Sequence, residues 1–189
     1  MRPLSHWLHR GRALFWLVAG RQARALAACE QILSQCPDDD HALASRCHLH
    51  AQAGRLHQAL ADSERRVRLG AANAQAWFNH GFLLESLGQN EGALAAFARA
   101  TDLCPHLDRA WYGQGLVLMR LERHEEALRA LRRTTELQPM SPHAWYQLAR
   151  LHFIQQDLDE AAKVIRHLKG FEPQVSAQLE RETGLVVGR

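Results

Sequence analysis

Residues 74–107 read AQAWFNHGFLLESLGQNEGALAAFARATDLCPHL, and this stretch decides the fold. Trp77, Gly81 and Leu84 follow one another at spacings of four and three, which places them on one face of a helix. Gly88 permits a turn after this helix, because glycine tolerates a positive φ. A second helical face follows the turn. The stretch therefore predicts two amphipathic helices joined by a tight connection.

The same marks recur along the chain at a period of 34 residues. Tryptophans and prolines carry the period most clearly: Trp77, Trp111, Trp145, Pro105, Pro139 and Pro173. Proline ends each stretch, since it cannot continue a helix interior. Several marks share one period, whereas a lone coincidence would mean little. One helix pair cannot bury its own apolar stripe, so such units must stack on their neighbours.

The pattern resembles the tetratricopeptide repeat, whose unit carries W-x2-L-G-x2-Y, A-x3-F and a closing proline. The resemblance implies an all-α fold, a right-handed superhelical solenoid of antiparallel helix pairs. It divides the sequence into five units: residues 6–39, 40–73, 74–107, 108–141 and 142–175. An N-terminal extension, residues 1–5, and a short capping helix with a tail, residues 176–189, remain outside them.

The second unit departs most from this pattern. It has Cys47 in place of a small residue, Ser63 in place of a large one and Ala71 in place of the proline. An end unit is often atypical because it caps the stack, but the second unit is not at an end. The sequence therefore predicts altered packing there.

Two segments at unit boundaries have simpler interpretations. Asp38, Asp39 and Asp40 are predicted to favour the N-terminus of the next helix through the helix dipole. Gly184 is predicted to stop the capping helix. The apolar residues after it are expected to be loose unless they dock on the protein.

The resemblance also implies a concave face lined by the first helix of each pair. Residues at its groove-facing positions form the predicted partner-binding site: Phe78, Asn79, Phe82, Arg109, Tyr112, Leu116, Arg120, Tyr146 and Arg150. The chain's only two tyrosines share one position of the repeat, and Phe78 occupies it in the unit before. Aromatic residues and Arg are enriched at binding hot spots, which favours partner binding over the alternative that these rings only pack within the stack.

The side chains of this face indicate the chemistry of a partner. Arg109, Arg120 and Arg150 suit a carboxylate, which guanidinium groups bind bidentately. Asn79 suits a peptide backbone, because its amide both donates and accepts. The subclass that docks heat-shock chaperones has Lys where this chain has Phe78, so that docking is disfavoured. The predicted partner is a protein or peptide, with an acidic group or a C-terminal carboxylate as the feature it offers.

Composition and motifs exclude several function classes. The net charge of +3 does not indicate a dedicated nucleic-acid binder, so no nucleic acid is expected. The sequence has no phosphate-binding loop, dinucleotide-binding turn, nucleophile elbow or HExxH motif. We therefore predict a protein that is not an enzyme, has no catalytic residues and holds no cofactor.

Histidines and cysteines raise the question of a metal. His50, His80 and His152 stand where the repeat has a large core residue, which favours buried, hydrogen-bonded imidazoles over metal ligands. None of the four cysteines forms a CxxC pair, and a disulfide framework is not expected in a chain of this length. The prediction is no metal site and a reducing, cytoplasmic location.

Residues 1–28 hold five Arg and no acidic residue, beside two tryptophans. Contact with an anionic membrane surface is conceivable for this stretch, but packing as the first repeat explains its apolar residues equally well. A cleaved signal peptide is disfavoured because Arg21 and Arg24 follow the short apolar run directly. No segment reaches the roughly 18 apolar residues of a membrane span.

The leading hypothesis is a non-enzymatic scaffold or adaptor that binds a peptide or helix of a partner in the groove. The alternative is a chaperone, or a fixed subunit, of a bacterial secretion system or another multiprotein assembly, because small secretion chaperones are built from similar helical repeats. The excess of Arg over Lys, 21 to 2, is associated with GC-rich bacterial genomes.

Overall fold

The computed structural model describes residues 15–16 and 18–188, and every regular element within them is helical. The predicted N-terminal extension, residues 1–5, lies outside the described part of the chain. Ten helices are described in chain order: α1 (Gln22–Gln35), α2 (Asp40–Gln52), α3 (Leu56–Leu69), α4 (Ala74–Ser86), α5 (Asn90–Leu103), α6 (Asp108–Arg120), α7 (His124–Leu137), α8 (Pro142–Ile154), α9 (Leu158–Lys169) and α10 (Pro173–Thr183).

The chain divides into two compact units. The amino-terminal unit ends at Gln89 and contains α1 to α4, and the carboxy-terminal unit begins at Asn90 and contains α5 to α10. Within each unit, helices that follow one another in sequence pack together. The connections are only a few residues long, so neighbouring helices run antiparallel, as the helix pairs of the sequence pattern predict.

The turn after the first helix of a pair has one left-handed residue at a fixed place. It is Gly54 after α2 and Gly88 after α4, with φ of 71° and 72°. After α6 and α8 the same place holds Glu122 and Gln156, with φ of 57° and 61°. A side chain disfavours this conformation by about 1 kcal/mol per residue. The turns of the carboxy-terminal unit are therefore formed against a local preference that glycine removes in the amino-terminal unit.

The periodic tryptophans have a specific structural task. The indole Nε1 donates to the backbone oxygen of the residue six positions earlier, from Trp77 to Ala71 over 2.9 Å and from Trp145 to Pro139 over 2.7 Å. Each bond holds the loop before a helix against that helix. Ala71 replaces the usual proline, and this departure does not affect the bond because the acceptor is a backbone oxygen.

Packing in the amino-terminal unit uses polar pairs where the repeat has apolar residues. The hydroxyl of Ser63 on α3 lies 2.7 Å from Nδ1 of His80 on α4, and both side chains are buried. The neighbouring Asp62 accepts a hydrogen bond of 2.9 Å from Nε of Arg46 on α2. The small Ser63 is thus matched by a larger residue on the next helix, which confirms that the packing here is altered and shows how.

The aspartate run before α2 does more than favour a helix N-terminus. Asp39 accepts a hydrogen bond from the backbone nitrogen of Ala42, as expected of an N-cap. Its two neighbours reach another helix: Arg65 Nε donates to Asp38 over 2.8 Å, and Arg66 Nε donates to Asp40 over 2.8 Å. The run therefore ties the start of α2 to α3.

Packing in the carboxy-terminal unit depends on close approach at two glycines of α6. A Cβ atom on Gly113 would lie 2.8 Å from the ring of Phe97, and one on Gly115 would lie 2.7 Å from the side chain of Leu131. Phe97 and Leu131 are almost fully buried. Neighbouring helices can approach α6 closely because glycine leaves this space open.

The tail after α10 is docked at its centre, so the stated exception to loose residues applies there. Val187 is only 3% exposed and belongs to the apolar core of the carboxy-terminal unit. Its backbone nitrogen donates to Glu180 over 3.1 Å, and Lys169 Nζ donates to its backbone oxygen over 2.7 Å. Gly184, with φ of 73°, ends α10 as predicted and turns the chain toward this contact.

Candidate functional site

Three predicted partner-binding residues of the amino-terminal unit line one pocket of about 310 Å³. Phe78, Asn79 and Phe82 project from α4 toward it. Helices α2 and α3 supply the other sides, and the full lining is Ala44, Cys47, His48, Ala51, Arg66, Phe78, Asn79, Phe82 and Leu83. Phe82 is 54% exposed, although it is large and apolar. The pocket is therefore an apolar depression that an apolar side chain of a partner can enter.

The charge in this pocket belongs to Arg66, whose residue is only 9% exposed. Its Nε and a terminal nitrogen donate to the two carboxylate oxygens of Asp40, over 2.8 Å and 3.3 Å. The hydrogen bond from Arg66 holds the pKa of Asp40 below its usual value. A second carboxylate would therefore compete with Asp40 for this guanidinium.

Two other polar groups of the pocket have defined states. The amide of Gln75 donates to Oδ1 of Asn79 over 2.8 Å, which restrains the orientation of the Asn79 side chain. Burial raises the pKa of the Cys47 thiol to about 11, so this cysteine is a neutral apolar wall at physiological pH.

In the carboxy-terminal unit, Arg109 and Tyr112 line a smaller pocket of about 170 Å³. The residues around it come from α6, α7 and the start of α8: Asp108, Arg109, Tyr112, Thr134, Gln138, Ser141 and His143. Arg109 is exposed, whereas Tyr112 is half-buried and packs against the apolar core. This tyrosine therefore serves both the core and the surface.

Tyr146 and Arg150, both on α8, meet a carboxylate of the chain itself. The Tyr146 hydroxyl donates to Glu182 of α10 over 2.7 Å, and the Arg150 guanidinium lies 5.7 Å from the centre of the Tyr146 ring. A pocket of about 250 Å³ adjoins this group, lined by Arg150, Phe153, Ile154, Glu182 and Thr183.

The structure thus distributes the nine predicted residues unequally. Phe78, Asn79 and Phe82 share one pocket, while Leu116, Arg120 and Tyr146 line none of the three pockets described above. Sequence reasoning missed Arg66 and Glu182, which lie outside the first helices that the repeat pattern assigns to the groove. The signal in the sequence was the spacing of Arg66 from Ala59 and Ser63, seven and three residues, which places it on the buried face of α3.

The three histidines at core positions are buried, as predicted, and each has a polar partner. Nδ1 of His50 accepts from Arg55 over 3.0 Å, and Nδ1 of His152 lies 3.2 Å from Asp157. Burial lowers the pKa of both His50 and His80.

In the described residues, no group of three His, Cys, Asp or Glu side chains is arranged to hold a metal ion. Nor does any described helix have the length and apolar character needed to cross a membrane.

Comparison with known families agrees with this architecture. Two models described as tetratricopeptide repeat match the sequence, one over residues 109–174 and one over residues 74–107. The chain belongs to the tetratricopeptide repeat family. Membership accounts for the shared period of the tryptophans and prolines, and for the helix pairs. No curated protein matches the sequence.

Several solved structures resemble this repeat protein along nearly its whole length. A MamA fragment from Desulfovibrio magneticus RS-1 is 20% identical, with a TM-score of 0.83, 98% of this chain and 100% of that chain covered. A tetratricopeptide repeat protein from Parabacteroides merdae is 19% identical, with a TM-score of 0.85 and coverages of 96% and 75%.

A third structure is YrrB, described as a tetratricopeptide repeat protein with an unusual peptide-binding site. It is 20% identical, with a TM-score of 0.81, and the match covers 89% of this chain and 88% of YrrB. Likeness at this level of identity shows the fold. The predicted fold class, all-α with antiparallel helix pairs in a tetratricopeptide-type solenoid, is confirmed.

Proposed function

We propose that this protein is a non-enzymatic interaction scaffold that binds a peptide or helix of a protein partner on the first-helix face of its repeats. The observation that carries the proposal is the pocket of the amino-terminal unit. Phe78, Asn79 and Phe82 occupy groove-facing positions of the repeat, and they line a single depression of about 310 Å³. An exposed Phe82 beside a polar amide is the combination expected of a peptide anchor site.

The family and the related structures support the same class of function. Tetratricopeptide repeats are generally interaction modules, and the YrrB structure is described by its peptide-binding site. In the carboxy-terminal unit, Arg109, Tyr112, Tyr146 and Arg150 provide a second set of contacts. Guanidinium groups and tyrosine hydroxyls suit acidic or backbone groups of a partner, so the partner we propose is a protein segment that offers both apolar and acidic side chains.

The proposal is tested by capture of partners from an extract of the native cell. The unchanged chain is compared with Phe82→Ala, and with Tyr112→Ala combined with Tyr146→Ala. We expect the partner to be lost in both variants while helix content by circular dichroism is unchanged. Arg132→Ala, an exposed change on the second helix α7, is the matched control and should retain the partner.

Two results would contradict the scaffold. Capture that survives both sets of changes means that the first-helix face is not the binding surface. A chain that is insoluble without a partner, and that co-purifies with it at fixed stoichiometry, supports the alternative of a fixed subunit in a larger assembly.

A further inference from the structure

Glu182 places a carboxylate against two residues of the predicted partner-binding site. The Tyr146 hydroxyl donates to Oε2 of Glu182 over 2.7 Å, and Gln178 Nε2 donates to Oε1 over 2.8 Å. The guanidinium of Arg150 lies over the Tyr146 ring and attracts the same carboxylate. The tyrosine hydroxyl and the amide donate to one carboxylate, the Arg150 charge attracts it, and the chain fills this site with a carboxylate of its own.

The charge state of Glu182 agrees with this description. Hydrogen bonds from Gln178 and then from Tyr146 hold the pKa of Glu182 below its usual value, and Arg150 acts in the same direction. The group is ionised at neutral pH. Burial, followed by the bond to Glu182, raises the pKa of Tyr146, so its hydroxyl remains a donor.

A pocket of about 250 Å³ lies directly beside the carboxylate, and Glu182 itself forms part of its wall. Phe153 and Ile154 line it together with Arg150 and Thr183. Ile154 is 50% exposed, so a large apolar side chain faces solvent next to a charged hydrogen-bonding group. This arrangement offers one place for a carboxylate and an adjoining place for an apolar side chain.

Helix α10 does not need Glu182 to stay in position. Leu179 is fully buried in the apolar core, and the hydroxyl of Ser176 donates to the backbone oxygen of Ile165 over 3.2 Å. Lys169 Nζ donates to Glu180 over 3.0 Å. Glu182 is exposed in the last turn of the helix, where a side-chain contact contributes little to stability. Its carboxylate can therefore be displaced while the helix remains docked.

We propose that Glu182 is an internal stand-in for a glutamate of the partner, which displaces it from Tyr146 and Arg150. The residue beside that glutamate places a large apolar side chain in the pocket of Phe153 and Ile154. The partner residue is a glutamate because the side chain that now fills the site, Glu182, is a glutamate. The inference rests on the proposed scaffold function and names the chemistry of the segment that the carboxy-terminal unit binds.

The test uses the full chain and the blocked peptide acetyl-Ala-Glu-Leu-Ala-amide, followed by NMR titration of the Arg150 and Ile154 signals. Glu182→Gln removes the competing charge, and we expect it to lower the Kd of this peptide roughly fivefold. The neutral peptide acetyl-Ala-Gln-Leu-Ala-amide should bind both proteins equally.

Adding Tyr146→Phe to Glu182→Gln should abolish the gain. Asp102→Asn, an exposed change on α5 with the same effect on net charge, is the matched control and should leave the Kd unchanged.

Four results would overturn this proposal. The first two are an unchanged Kd in Glu182→Gln and an equal decrease in Kd for both peptides. A gain confined to acetyl-Ala-Ala-Leu with a free terminal carboxylate would assign the site to a chain terminus instead of a glutamate. In native partner capture, a partner that is lost in Phe82→Ala supports the scaffold function. If Glu182→Gln also weakens that capture, Glu182 is not a stand-in for a glutamate of the partner. Capture independent of Phe82, Tyr112 and Tyr146 overturns the scaffold function itself, whatever the peptide titration shows.

Discussion

The two units of this protein build the same helix-pair geometry from different chemistry. At one position of the second helix in a pair, the amino-terminal unit has Ser63, whereas the carboxy-terminal unit has Phe97, Leu131 and Ile165. Ser63 shares a hydrogen bond with a buried histidine, while the other three fill apolar space. A tetratricopeptide pair therefore requires that the space between helices be filled, either by a hydrogen-bonded polar pair or by an apolar side chain, and it does not require one type of residue.

A second position, on the first helix of a pair, shows the same trend in smaller steps. It holds Arg46, His80, Gln114 and Leu148 in successive pairs. Their partners change accordingly, from the carboxylate of Asp62 to the hydroxyls of Ser63 and Thr101, and then to the apolar core that contains Leu148. Polar packing thus decreases along the chain from ion pair to apolar contact.

The largest expected effect compares the two kinds of packing at one repeat position. Leu131→Ala removes a fully buried side chain and should lower the free energy of unfolding by about 3 kcal/mol. Ser63→Ala removes only a hydroxyl and leaves His80 without its bond, so its cost should be about 1 kcal/mol. Urea denaturation followed by circular dichroism measures both. Equal costs would contradict this prediction and would mean that the polar pair of Ser63 and His80 stabilises the fold as much as the apolar side chain of Leu131.

Breaking the buried ion pair should have the next largest effect. Asp62→Ala leaves the Arg46 guanidinium without its carboxylate, and we expect a loss of about 2 kcal/mol, since Arg46 is partly exposed. Combining Arg46→Leu with Asp62→Val copies Leu148 and Val164, which occupy the same two repeat positions in the apolar core, and should recover most of this loss. If the double variant is no more stable than Asp62→Ala, apolar side chains at these positions cannot replace the ion pair in the amino-terminal unit.

Close packing at α6 can be tested by adding one methyl group. Gly113→Ala places a Cβ atom against the buried ring of Phe97, and overpacking of this kind should cost about 1–2 kcal/mol despite the better helix propensity of alanine. Hydrogen exchange measured by mass spectrometry should show the loss in the carboxy-terminal unit. A stabilised variant would show that the ring moves aside freely.

Mild acid should destabilise the polar packing of the amino-terminal unit, by a smaller free energy than the changes above. Burial lowers the pKa of His80 from 6.5, so the folded protein favours the neutral imidazole. Its full contribution is present above pH 6.5 and is lost as the pH falls toward the lowered value, because protons then bind the unfolded chain more readily. Thermal unfolding measures the decrease in Tm between pH 7.5 and pH 5.5. This decrease should be smaller for His80→Gln, which copies Gln114, than for the unchanged protein. The same decrease in both proteins would assign the acid sensitivity to other groups.

The smallest predicted effect is a gain. Glu122→Gly gives α6 the left-handed turn residue that Gly88 provides after α4, and it should raise the free energy of unfolding by about 0.5 kcal/mol, after the greater flexibility of glycine in the unfolded chain is counted. Denaturant midpoints of the two proteins measure it. Lys replacing Glu122 is the control and should produce no gain, since it keeps a side chain at the turn.

Much of the fold was predictable because it is periodic. Trp77, Trp111 and Trp145 repeat one local bond to a loop, and the prolines end the pairs by a rule that involves only their neighbours in sequence. The same positional logic selected Phe78, Asn79 and Phe82, which one pocket brings together. It did not select Arg66, because a residue on the second helix lies outside the groove pattern.

By itself, the sequence determined the helix pairs, their period and their family, since these depend on spacings of three, four and 34 residues. Only the tertiary structure decided which side chains meet across helices. Ser63 and His80 are 17 residues apart, Tyr146 and Glu182 are 36 apart, and Val187 docks on Lys169 across 18. No period relates these pairs. They form because the packing of neighbouring helices brings one donor within about 3 Å of one acceptor, and for Ser63 and His80 burial makes that partner necessary.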